Sequence, residues 1–266
     1  MEFLKTVRKR SFLSHAIYIV LNIALAFAIM LVVRATGSLP LAFLLIILSK
    51  WRVLAVRPRF WLANLQANLV DFIVSISFAV LLYVVNAGSG SETQILVVQA
   101  LLVLLYVAWL LFLKPKSKRI YIAAQSGVAL FAGVTAIFMV AYDWIASLAV
   151  ILMWAIGYAT ARHLLSNYEE RHVTLLSLAW GLVLAEIGWL AHHWTIAYNL
   201  PTISAIMLPQ VSLIVLILGF LLYKSYDSYV HHEKIRMNDI ALPLVFAIGI
   251  ISLLVLVFNA IHATVF

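Results

Sequence analysis

In the run Val173 to Tyr198, VTLLSLAWGLVLAEIGWLAHHWTIAY, one carboxylate stands near the middle of an apolar stretch and two histidines stand toward its end. Glu186 is thirteen residues into the run, about 20 Å along a helix axis, which places it near the centre of a bilayer if the helix crosses one. An acidic side chain at that depth costs at least about 2.5 kcal/mol, so it is expected to face protein or water, or to carry a proton. Its chemistry would then be that of a proton or cation site. His193 follows seven residues later, almost two turns on, and projects from the same face with roughly 10 Å between the backbones. Near the end of the chain Asn259 and His262 are one turn apart. Together with His192 and His193 they would make an outward-opening polar cluster, of a kind that relays protons to Glu186 or binds a divalent metal through imidazole and carboxylate. The structural alternatives are a neutral Glu186 carboxyl making one interhelical hydrogen bond, and histidines that decorate the interface beside Trp194 and Tyr198. No HExxH is present, and no metal site is assigned.

A second set of polar residues lies at Asn64, Asn68, Asp71 and Ser75. Spacings of four, three and four put them on one helical face. That stripe is expected to point into protein, with Arg57 and Arg59 close enough to neutralise Asp71. It reads either as an inner vestibule or lipid-headgroup pocket, or as polar packing between helices.

These residues need elements to hold them, and the composition says what kind. The chain has 65% hydrophobic and only 11% charged residues, with a mean hydropathy of +1.09, a balance that calls for lipid as solvent. The fold class is therefore all-α, a polytopic membrane bundle forming a single transmembrane domain over 1–266. No segment is left over for a separate soluble core. Nine spans are expected at about 12–33, 39–56, 60–85, 95–113, 120–142, 144–161, 173–198, 203–223 and 240–266. The first is too long for the apolar core of a signal peptide and reads as a retained helix. The second reaches spanning length only if Lys50 and Arg52 snorkel to the headgroups. Pro209 is expected to kink the eighth span, and Pro243 to sit in the first turn of the ninth, where it costs no hydrogen bond.

Charge orients this layout. With the amino terminus inside, four basic residues precede the first span. The later inner connections hold Lys50, Arg52, Arg57 and Arg59; Lys114, Lys116, Lys118 and Arg119; Arg162 and Arg171; and Lys224, Lys234 and Arg236. Of the 18 Lys and Arg residues, Arg34 alone falls outside, as the positive-inside rule requires. The carboxyl terminus is then outside. The net charge of +8 is explained by orientation and implies no nucleic-acid partner. The absence of cysteine rules out disulfides, thiolate zinc sites and iron–sulfur clusters.

Over five residues, FNAIH at Phe258 to His262 resembles the FxxxH pattern of the membrane-embedded CPBP proteases. The paired-glutamate EExxxR motif of that family is missing, since Glu169-Glu170 is followed directly by Arg171 and His172. That family's activity is therefore not carried over. The sequence points first to a transporter or channel-like protein with Glu186 as its protonatable or substrate-contacting centre. The alternatives are a non-enzymatic subunit or lipid-binding scaffold of a membrane complex, and an enzyme acting on a lipid or polyprenyl substrate. The last is disfavoured by connections too short for a soluble catalytic surface. No cofactor is expected. The expected partners are the bilayer, with anionic lipids at the cytoplasmic face, and a homo-oligomer or membrane-complex partner. The expected location is a cell membrane, of the prokaryotic plasma-membrane type.

Overall fold

A computed structural model describes residues 2–53, 55–88, 90–141, 143–168, 170–194, 196–200, 203–258 and 264–265. The described residues form nine helices: α1 (Glu2–Thr36), α2 (Leu39–Ser49), α3 (Trp61–Ala87), α4 (Glu92–Ala108), α5 (Arg119–Val140), α6 (Ala146–Leu165), α7 (Val173–His193), α8 (Gln210–His232) and α9 (Met237–Ser252). All except α2 are long and apolar enough to cross a membrane. Helices are what such a composition must make, because in lipid every backbone N–H and C=O has to find its partner within the segment. The same economy governs buried hydroxyls. Ser77, Thr135, Thr160 and Ser177 each donate to the carbonyl four residues back in their own helix, so they are satisfied without any site.

Local chemistry marks the helix boundaries. Gly37, at φ +59°, takes the left-handed turn between α1 and α2 that a residue with a Cβ resists. Ser91 and Gln94 close a reciprocal capping box at the start of α4. That helix ends in a π-helical turn, Trp109–Leu113. The α8 helix stops where Glu233 adopts φ 54°.

Two apolar clusters make up the core. One is built from α1 to α4 around Ile29, Ile46, Leu82 and Leu110, and the other from α5 to α8 around Val134, Phe138, Met153 and Leu184. Ile73 of α3 packs against both. The tightest helix pair is α6 and α7, which meet through small residues. A Cβ on Gly157 would lie 2.9 Å from the Gly181 Cα, and one on Gly188 would lie 2.7 Å from the Met153 Cγ. Close backbone approach of this kind replaces the hydrophobic drive that lipid cannot supply between helices.

Several expected boundaries are corrected. The run 173–198 is not one helix, since α7 ends at His193. Strands β1 (Ile196–Leu200) and β2 (Ile203–Pro209) then form an antiparallel hairpin, with Tyr198 opposite Leu208. Strand β3 (Thr264–Val265) adds to its other edge, with Ile196 opposite Val265. The eighth helix accordingly starts at Gln210 instead of residue 203, and Pro209 caps it instead of kinking it. At its far end it continues to His232 through residues expected to be a connection. Contacts there hold it helical, among them Tyr168 Oη to Asp227 Oδ1 at 2.9 Å and Ser228 Oγ to Asp239 Oδ2 at 2.7 Å. The sixth helix likewise runs on to Leu165. The ninth begins at Met237, so Pro243 lies inside it and removes one interior hydrogen bond. It passes into a π-helical turn at Leu253–Phe258 instead of running to residue 266. The second helix is only 11 residues long.

Candidate functional site: an aspartate shared by two lysines

The polar stripe on α3 does turn inward at its centre, where Asp71 and Ser75 are buried. Asn64 and Asn68 are half-buried and structural. The Asn64 amide donates to the Val53 carbonyl at 2.6 Å, tying α3 to the connection before it, and the Asn68 amide donates to the Asn64 carbonyl at 2.8 Å. The Ser75 hydroxyl donates to the Asp71 carbonyl at 2.7 Å and accepts from Tyr106 Oη at 2.8 Å. Tyr106 in turn stacks on Phe78, with ring centroids 4.2 Å apart.

Asp71 receives more donors than the stripe itself could supply. The Lys50 ammonium, from the end of α2, donates both to the Asp71 carboxylate and, at 3.2 Å, to the Asp71 carbonyl. The Lys114 Nζ, from the end of the π-helical turn after α4, is 2.9 Å from the same Oδ2. Trp109 Nε1 reaches the other oxygen, Oδ1, at 3.4 Å. Two expectations are corrected here. Lys50 does not snorkel away, being only 8% exposed. The cations on Asp71 are Lys50 and Lys114, not Arg57 and Arg59. A deep carboxylate holds a lysine from a neighbouring helix end more cheaply than lipid does, because each charge offsets the desolvation of the other. Two ammoniums on one carboxylate leave the site with a surplus positive charge. Both carboxylate oxygens of Asp71 face donors, two ammoniums on Oδ2 and an indole N–H on Oδ1, so the arrangement binds charge.

The far end of α4 carries a second polar contact. Arg34, in the last turn of α1, lies 3.0 Å from Glu92 Oε1 and 3.3 Å from Gln99 Oε1, and Gln99 donates to Asn86 Oδ1 at 3.3 Å. Gln125 and His163, 2.7 Å apart, close a turn, with the Gln125 amide donating to the Leu113 and Lys116 carbonyls at 2.7 and 2.8 Å.

Glu186 lies elsewhere. The face of α7 that packs on α6 carries Ser177, Gly181, Ala185 and Gly188, all buried. Five residues past Gly181, Glu186 is turned about 140° away from that face and is exposed on the outside of the bundle. Leu182, Val183, Trp189 and Leu190 around it are exposed as well. Among the described residues no group makes a hydrogen bond or ion pair with the Glu186 carboxyl. His193 shares its face without touching it. His193 Nδ1 pairs with the Trp189 carbonyl at 2.8 Å, and its ring lies 4.7 Å from the Trp189 ring and 5.5 Å from that of His192. Asn259 and His262 lie outside the described residues. Among those described, no three His, Asp or Glu side chains are grouped to hold a metal ion.

Lys50, Lys114 and Trp109 are what sequence reasoning missed at Asp71. The available signal was that both lysines end apolar runs. That pattern is the same for a lysine reaching water and for one turned inward. Comparison of the chain with protein-family models, with curated proteins and with solved structures finds no match.

Proposed function

We propose that this chain is a non-enzymatic subunit of a membrane complex, crossing the bilayer nine times with its amino terminus in the cytoplasm and its carboxyl terminus outside. Its partner meets it at the outward face of α7. The observation that carries this reading is the exposed Glu186 carboxyl, without a partner among the described residues, two-thirds of the way along the peripheral helix α7. A charged carboxyl facing acyl chains costs about 2.5 kcal/mol or more at a helix centre, less toward its ends, and is unfavourable at this position. A partner helix bearing an amide, hydroxyl or cationic donor at the same level relieves that cost and sets the register of the pair. A transporter using Glu186 as its centre would have the carboxyl lining a path through the bundle. The position on the outer face of α7 favours the subunit reading instead. An enzyme would need two convergent free titratable groups, and the Asp71 carboxylate is already shared by two ammoniums.

The test uses dicyclohexylcarbodiimide, which partitions into lipid and modifies protonated carboxyls that face acyl chains. Glu186 is expected to be protected in native membranes and modified once the chain is purified and reconstituted alone, as read by peptide mass spectrometry. Equal modification in both preparations shows the face open to lipid and ends the proposal.

A further inference from the structure

Positive charge at one end of a membrane bundle needs no explanation beyond orientation, but the arrangement around Asp71 does. Two ammoniums repel each other, and orientation alone would let both extend into water. Here α2 and α4 bring Lys50 and Lys114 onto the same carboxylate oxygen, so one positive charge at that spot is left without a counter-ion. Lys114 is the open edge, with a side chain 35% exposed. The connections 50–60 and 114–119 hold eight Lys and Arg residues and no acidic residue. Among the described residues Arg57, Arg59, Lys116, Lys118 and Arg119 make no ion pair. Three of them lie over aromatic rings instead: Arg59 over Phe60, Lys116 over Tyr121 and Arg119 over Tyr168, at 4.6, 5.7 and 4.9 Å.

The surroundings say which anion fits. Trp51, adjacent to Lys50, is 64% exposed, and Phe112, two residues before Lys114, is 69% exposed. Trp61 and Leu62 at the start of α3 are exposed too. Exposed apolar and indole side chains next to the two lysines in sequence suit a ligand with acyl chains below a charged head better than a freely soluble anion.

We infer that the Lys50–Lys114 pair, with the basic connections 50–60 and 114–119, binds the phosphate of an anionic phospholipid in the leaflet at that end of the bundle. Lys114 is the ammonium that contacts it directly. Asp71 keeps both lysines from turning away, and the exposed Trp51 and Phe112 lie along the chains. The site belongs to the α1–α4 half of the bundle and is independent of the α7 face.

The full chain in detergent is titrated with phosphatidylglycerol or phosphatidylcholine, and retained lipid is counted by native mass spectrometry. Phosphatidylglycerol is expected to be held at least about fivefold more tightly, the value of one ammonium near an anionic headgroup. Lys114→Gln removes the preference and Lys114→Arg, which keeps the charge, restores it. Lys234→Gln, an exposed basic residue outside the cluster, leaves it unchanged. Glycerol phosphate and inorganic phosphate at equal concentration do not displace the lipid. Equal retention of the two lipids overturns the inference, as does a preference that survives Lys114→Gln in a protein with an unaltered melting transition. Displacement by glycerol phosphate overturns it in a different way, by making the site one for a soluble phosphate.

Discussion

Asp71 and Lys50 are each 8% exposed, so neither can lose its partner and turn to water. Asp71→Asn leaves the Lys50 ammonium buried without a counter-charge, and removing one member of a buried pair typically costs about 3–5 kcal/mol. The Lys50→Met/Asp71→Leu double variant removes both charges and lets half-exposed Lys114 turn to solvent. Its melting temperature is expected to lie above that of Asp71→Asn, and a double variant at least as unstable would mean that the pair acts through packing and not through charge. The stripe that contains Asp71 was legible from spacing alone, because a period of three and four names a face. Its partners were not legible, because they come from the ends of two other helices, and no local pattern records which carboxylate a terminal lysine will meet. Glu186 shows the complementary limit. Counting residues gives its place along the chain, whereas the end of α7 at His193 and the side of the helix turned to the bundle, set by Gly181 and Gly188 meeting α6, are properties of the fold.

At the level of elements, the α6–α7 seam and the connections make separate predictions. Gly157→Val drives a side chain into the Gly181 backbone, where a Cβ already lies 2.9 Å from the Cα. Overpacking of this kind costs about 1–3 kcal/mol. Gly249→Ala, with nothing within 4 Å of the added Cβ, is the control and is expected to be neutral or slightly stabilising. Equal melting temperatures for Gly157→Val and Gly249→Ala would mean that the seam is looser than its geometry. Between α6 and α7, Glu170 accepts from the Tyr226 hydroxyl and, at 3.1 Å, from the His172 amide. The tyrosine contact foremost, and then the amide, holds its carboxyl below the usual carboxylate range. A depressed carboxylate contributes stability above its unfolded value, and that contribution is lost as pH falls through the folded value. The gap in melting temperature between wild type and Tyr226→Phe should therefore be present at about pH 7 and narrow below about pH 4; a constant gap would assign the tyrosine a packing role only. The long helices were readable because an apolar run of about 20 residues has one stable form in lipid. The β1–β2 hairpin was not, because TIAYNLPTISAIML is still largely apolar, and periodicity cannot separate a buried strand from a buried helix in a short run. Pro201 and Pro209 were the available signals, the first for a turn and the second for a helix start.

For the whole molecule the topology turns on α2. Its 11 residues make about 17 Å of helix, short of a hydrocarbon core of about 30 Å. Two contacts argue that it crosses nonetheless. Its start follows Arg34, which is held at the Glu92 end of α4, and its end places Lys50 beside Lys114 at the other end of the same 22-residue span. Lys50 and the turn Trp51–Val53 extend the reach that the helix lacks. A crossing α2 puts the basic connections 50–60 and 114–119 on the inner side, whereas a re-entrant α2 would put both outside, against the positive-inside rule. The absence of native cysteine makes this directly measurable with a membrane-impermeant maleimide on cells. Ser38→Cys and Gly90→Cys are expected to react from outside, and Ala55→Cys and Ser117→Cys only after the membrane is opened. If Ala55→Cys reacted from the same side as Ser38→Cys, α2 would turn back within the bilayer. Arg34, at the outer end of α1, and Glu92, at the start of α4, would then lie on opposite sides of the membrane, which their 3.0 Å contact forbids.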